Sequence, residues 1–184
     1  MTLPTSSATS FTPTAAGLWK PVLLRAGAAL VFGAVTVFWG SPSVHVLAWA
    51  TGLYLLATAG AAFLAASVPA AAAVVVGLAG LGALITQSDT GAAVSALVGL
   101  LVLGAFELVQ GFRQRGRHVL ARDWIISCVV GIGTAVALPF FIGLGAHALL
   151  GVAGGGAIIS GVLWMLSGLS LRHDGRTPSA EAVN

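Results

Sequence analysis

Charged side chains are scarce in this sequence. Its 184 residues include 8 Lys or Arg and 5 Asp or Glu, 7% of the chain, against roughly 25% in an ordinary soluble domain. A water-soluble fold of this length needs far more polar surface than these residues supply. Hydrophobic residues make up 58% and the mean hydropathy is +1.01, so the chain is expected to be an all-α, polytopic membrane protein. No length is left over for a sizeable soluble domain. Cysteine is nearly absent as well. Cys128 stands alone, which excludes an intrachain disulfide and a cysteine metal site, and its apolar surroundings suit a small core residue. The first seventeen residues, MTLPTSSATSFTPTAAG, carry no charge and lack the basic and apolar regions of a secretory signal. They are expected to form a disordered tail.

What the chain has is long apolar runs. About 20 apolar residues cross a hydrocarbon core as a helix, and six such spans are predicted: 19–40, 44–67, 69–87, 92–112, 123–143 and 146–171. Trp19 and Trp39 bracket the first at positions suited to the two interfaces, and Pro69 opens the third. The expected organisation is a tail over 1–17, a transmembrane domain over 18–172 and a disordered cytoplasmic tail over 173–184. With six spans both termini share a side. That side carries Lys20, Arg113, Arg115, Arg117, Arg122, Arg172 and Arg176, and the opposite turns carry no Lys or Arg. The positive-inside rule then predicts both termini in the cytoplasm, and the high alanine, glycine and valine content with arginine preferred over lysine suggests a bacterial source, hence the inner (plasma) membrane.

A net charge of +3 would suit nucleic acid if the cations were spread along an exposed face. Instead Arg113, Arg115, Arg117 and Arg122 crowd beside a span, which points to lipid head groups and excludes a nucleic-acid stripe. His118 and His173 lie among the arginines and suit the same lipid phosphates.

Small residues recur at matched positions. Gly52 and Gly60, Gly104 and Gly111, and Gly154 and Gly161 mark the even-numbered helices, while Gly33, Gly82 and Gly133 mark the odd-numbered ones. The step is about fifty residues throughout, so the chain divides into three helical hairpins, 19–68, 69–120 and 121–172. Lipid tails are as apolar as leucine, and helices in them associate through close backbone approach at small residues. These nine glycines are the expected packing positions. Gly154, Gly155 and Gly156 form either part of such a seam or a local helix break.

Two groups of residues could carry chemistry. Glu107 is the one acid well inside a span, and Arg25 sits at a similar depth in the first helix. An unpaired charge there costs about 3 kcal/mol on insertion scales, so the two are expected to meet across the first and fourth helices, with Gln110 able to join them. Such a pair serves either as a packing salt bridge or as a titratable or substrate-binding site. The external turns offer one titratable group each, His45, Asp89 and His147; the two histidines would gain charge as the outside acidifies, or all three serve only as polar caps. No ligand spacing supports a metal site. There is no Ser/His/Asp set, phosphate loop or HExxH, so neither enzymatic activity nor a cofactor is expected.

The stretch over residues 19–65 resembles the opening hairpin of the HdeD-like acid-resistance membrane proteins. The likeness lies in Arg25, Gly27 and Gly33, the turn with Trp39 and Pro42, and Tyr54 with its counterpart Phe106 in the fourth helix. The chain departs from the repeat at Ala59, where a glycine is expected, and in the alanine run after Pro69. The resemblance implies a six-helix, non-enzymatic protein that supports tolerance of acid or envelope stress. Two other readings stand beside it: an accessory subunit of a larger membrane complex, or a small channel or transporter using Glu107 and Arg25. The expected partners are membrane lipids, with other membrane proteins or a second copy of the chain as further candidates.

Overall fold

The computed structural model describes residues 15–174, which are almost wholly helical. Six α-helices follow in order: α1 (Ala15–Phe38), α2 (Val44–Leu64), α3 (Ala70–Thr86), α4 (Asp89–Arg113), α5 (Ala121–Ala137) and α6 (Ala146–Asp174). A 3-10 helix over Leu138–Leu144 joins the last two. The expected tails lie mostly outside the described residues. Helix α1 takes in 15–17, however, and α6 runs two residues past the expected boundary at 172.

Local chemistry sets the ends. Ser43 and Ser88 cap α2 and α4, their hydroxyls accepting from the Val46 and Gly91 amides at 3.4 and 3.0 Å. Helix α2 closes with Ala66 at φ 52°. There the Ala66 amide donates to Phe63 O and the Ser67 amide to Ala62 O, an ending that normally takes glycine. The fifth span departs from expectation. Its α-helix stops at Ala137, because Pro139 has no N–H to donate one turn back, and the chain continues as the tighter 3-10 form to Gly145, at φ 82°.

Five stretches are long and apolar enough to cross a membrane: Gly17–Phe38, Val44–Leu64, Asp89–Arg113, Ala121–Leu144 and Ala146–His173. Helix α3 is also apolar but has 17 residues, about 25 Å at 1.5 Å per residue. The helices thus have the length and composition of a multi-pass membrane protein.

The packing is inverted relative to a soluble bundle. Small residues fill the interior, among them Ala26, Ala48, Ala61, Ala62, Ala83 and Ala135, while Val31, Phe38, Ile85 and Phe140 are exposed. That is the pattern expected where lipid is the solvent. Helices α2, α4 and α6 touch one another at the centre. Each odd-numbered helix lies in a groove between two of them: α1 between α6 and α2, α3 between α2 and α4, α5 between α4 and α6. The most extensive pairings join successive hairpins, α2 with α3, α4 with α5, and α6 with α1.

Glycines explain those pairings. A Cβ on Gly52 would lie 2.8 Å from Gly80 O, one on Gly104 2.8 Å from Ile132 Cγ1, one on Gly111 2.6 Å from Ile125 Cγ1, and one on Gly161 2.9 Å from Leu30 Cδ2. Gly33 and Gly154 are filled against Ile158 and Thr36, and Gly82 faces Ser95 Oγ. The α1–α6 contacts pair 23 with 168, 30 with 161, 33 with 158 and 36 with 154, so the two helices run antiparallel. Two expected packing positions are corrected. A Cβ on Gly60 or Gly133 meets nothing within 4 Å, since each projects outward, and it is Ala59 that is buried in α2. Gly154, Gly155 and Gly156 do not break α6. Gly154 seats Thr36 of α1 and Gly156 seats Thr134 of α5, one on either side.

Candidate functional site

Arg25 and Glu107 meet in the interior. The Glu107 side chain is 1% exposed and that of Arg25 9%, and an Arg25 Nη1–H donates to Glu107 Oε1. Glu107 lies six residues before the end of α4, roughly 9 Å along the axis, in the half of the bundle that bears the basic loop. Helices α1 and α4 do not themselves pack against each other. The long arginine side chain spans the gap between them, which explains why arginine occupies this position.

Two residues that sequence reasoning did not single out complete the arrangement. Arg25 Nη2 donates to Ser127 Oγ of α5 at 3.3 Å. The Trp164 Nε1–H of α6 donates to the same oxygen at 3.2 Å, and the guanidinium lies 4.5 Å from the centre of the Trp164 ring. One cation therefore has a carboxylate, a hydroxyl and a π face, drawn from three different helices. Each contact strengthens as water is excluded. Tyr54 of α2 stacks on Phe32 at 4.6 Å between ring centres and lies within electrostatic reach of both Arg25 and Glu107. Trp164 offered a signal: it sits in mid-span, away from the interfaces that tryptophan favours. Ser127 offered none beyond being polar in an apolar helix. Gln110 does not join this network. It lines a separate surface cleft with Arg113, Phe63 and Phe106.

Beside Arg25 is a cavity of about 10 Å³, lined by Ala61, Ser67, Leu120, Trp124 and Trp164, which is room for about one water. The larger hollows lie at the periphery. A 230 Å³ groove between α1 and α2 is lined by Ala28, Val31, Val35, Ala50, Leu53 and Ala57 together with the Phe32–Tyr54 stack.

The other expected residues are dispersed. His45 Nδ1 lies 2.5 Å from Gln87 Oε1 and so ties the α1–α2 turn to the end of α3. Asp89 opens α4 with one carboxylate oxygen buried and without a hydrogen-bond partner, and His147 is exposed on α6. The three do not converge, and among the described residues no group of three or more His, Cys, Asp or Glu could hold a metal ion. The four loop arginines also separate. Arg115 and Arg122 line one cleft, Arg113 lines another, and Arg117 is exposed outside both. His118 stacks on Trp124 at 4.7 Å, and its Nδ1 accepts from the Leu120 amide at 3.1 Å. Burial holds its pKa below the usual histidine value.

Comparison with protein-family models, with curated proteins and with solved structures yields no match.

Proposed function

We propose that the chain is a non-enzymatic, multi-pass protein of the bacterial inner membrane that supports tolerance of acid or envelope stress. In this reading it is built of three repeated hairpins with both termini in the cytoplasm. Three features support the architecture. Each even-numbered helix seats at least one glycine on the odd-numbered helix that follows it, Gly52 on α3, Gly104 and Gly111 on α5, and Gly154 and Gly161 on α1, to which α6 returns. The described cations gather at one end of the bundle, as the positive-inside rule requires of a cytoplasmic face. The hairpin at 19–65 resembles the HdeD-like proteins.

The observation that carries the functional reading is the position of the Arg25–Glu107 pair. Acid unfolds proteins largely by protonating carboxylates that are paired in the native state. Here the buried pair lies in the half nearer the basic, cytoplasmic end, away from external acid. Asp89, the acid at the opposite end, holds no ion pair among the described residues whose loss would open the bundle. The interior cavity beside Arg25 is also too small for a continuous aqueous path, which favours a structural pair over a transport site.

The test is to delete the gene and count survivors of an acid challenge, with complementation by wild type, by His45→Ala/His147→Ala and by Glu107→Leu. Rescue by wild type and by the histidine variant, but not by Glu107→Leu, is expected. No defect in the deletion strain overturns the stress-tolerance reading. Proton flux in liposomes that Glu107→Gln abolishes would establish the transporter reading in its place.

The groove between α1 and α2 favours a second reading, an accessory subunit. Ala28, Ala50 and Ala57 in its wall would let a partner helix approach closely. Stable copurification of one defined membrane protein would support it.

A further inference from the structure

We propose that the cleft at the α4–α5 turn binds the head group of an anionic phospholipid, with an acyl chain lying along α5. The proposal rests on the membrane reading above. The cleft encloses about 480 Å³ and is lined by Phe112, Arg115, His118, Val119, Arg122 and Ile125, among others. Neither Arg115 nor Arg122 has an acidic partner within 4 Å among the described residues. Asp123, the neighbouring acid, instead accepts from Ser167 Oγ at 2.8 Å. Two unpaired guanidiniums on one cleft suit a phosphate, which they can hold through several N–H donors each.

The apolar surroundings favour a lipid over a free phosphate. Val119 is 73% exposed and Phe112 57%, although both lie beside the arginines. From Arg122 an outward stripe runs down α5 at helical spacing through Ile126, Val129 and Val136, each of them exposed. Gly133 lies on the same stripe and is the notch left over from the packing pattern, with nothing within 4 Å of an added Cβ. Arg122 to Val136 covers roughly 21 Å at 1.5 Å per residue, long enough to follow an acyl chain through one leaflet of a ~30 Å hydrocarbon core. Cation, apolar wall and notch are thus aligned along the axis a phospholipid would take.

The test uses the full-length chain purified in a neutral detergent. Its thermal unfolding midpoint is followed while phosphatidylglycerol, phosphatidylcholine or inorganic phosphate is titrated in. Phosphatidylglycerol is expected to raise the midpoint, the other two to leave it unchanged, and Arg115→Gln/Arg122→Gln to weaken the apparent affinity at least tenfold. Lys20→Gln, at the same end but outside the cleft, is expected to keep it. Equal stabilisation by both lipids, or by phosphate alone, overturns the proposal, as does an equal loss in Lys20→Gln. Should the double variant fail to fold, photoactivatable phosphatidylglycerol on the wild-type chain decides. Crosslinks concentrated within 112–136 are expected, and crosslinks spread over all six helices overturn the site. Fractionation of the same chain with integral membrane proteins separates failure of this site from failure of the membrane reading.

Discussion

Replacing Glu107 with leucine takes away the carboxylate partner of Arg25, the best-connected side chain in the interior. The Glu107 side chain is 1% exposed, so bulk water cannot take over its role toward Arg25, and the cavity beside the guanidinium has room for only about one molecule. Breaking a buried pair by removing one partner costs about 3–5 kcal/mol, because the remaining charge is left uncompensated. Arg25 keeps its bond to Ser127 at 3.3 Å and the Trp164 ring at 4.5 Å, and a desolvated cation–π contact is worth about 2 kcal/mol. The lower end of the range is therefore expected, about 3 kcal/mol, which is more than a hundredfold in the unfolding equilibrium at 1.36 kcal/mol per decade. Arg25→Met is expected to destabilise as well. The double variant Arg25→Met/Glu107→Leu has no buried charge left and is expected to recover most of the loss, as other apolar replacements of buried pairs do. Unfolding of the purified chain in detergent, followed by tryptophan fluorescence, supplies the cycle. A Glu107→Leu variant within 1 kcal/mol of wild type would refute the reasoning, and so would single-variant losses that simply add in the double variant.

Further expectations follow from the packing and from the turns. Gly52→Val is expected to cost about 1–3 kcal/mol, the usual range for overpacking, because Gly80 O lies 2.8 Å from the added Cβ. Gly60→Ala meets nothing and is expected to stabilise α2 by up to ~1 kcal/mol through helix propensity; the same unfolding assay reads both. Ala66→Gly relieves a left-handed residue at φ 52° and is expected to add about 1 kcal/mol of stability, so an unchanged or lowered midpoint would contradict the turn geometry. For His118 the folded-state pKa is lowered by burial, so below the ordinary value of 6.5 the unfolded chain binds the proton first. The histidine's contribution is complete above pH 6.5 and is lost as pH falls from there toward the folded value. The stability difference between wild type and His118→Phe is therefore expected to shrink over that window, and a difference that grows would reverse the sign.

Much of the helical layout was legible in the sequence because bilayer thickness demands long apolar runs and serine or proline marks their ends. The Arg25–Glu107 contact was legible for a similar reason, since two opposite charges in apolar helices need each other. That Ser127, Trp164 and Tyr54 gather around the pair was not, because the rotational phase between helices decides which polar residues converge, and one sequence does not reveal that phase. The same limit explains Gly60. Ala59 and Gly60 fit the small-residue spacing nearly as well as each other, yet they point about 100° apart on the helix. Gly133 kept the fifty-residue step but lies on the outward stripe of α5. The change to a 3-10 helix at Pro139 was legible in principle, since an interior proline removes a helical hydrogen bond, but the unbroken apolar run through 143 concealed it.

The proposed six-span arrangement with the basic end inside underlies both the reading of the ion pair as shielded and the proposed lipid cleft, and cysteine labelling in intact cells tests it most directly. In a Cys128→Ala background, single cysteines are placed at the exposed positions 41, 90 and 117 and challenged with a membrane-impermeant maleimide. Positions 41 and 90 are expected to label in intact cells, and position 117 only after permeabilisation. Labelling at 41 with protection at 90 would show that the 17-residue α3 does not cross, and labelling at 117 from outside would reverse the orientation.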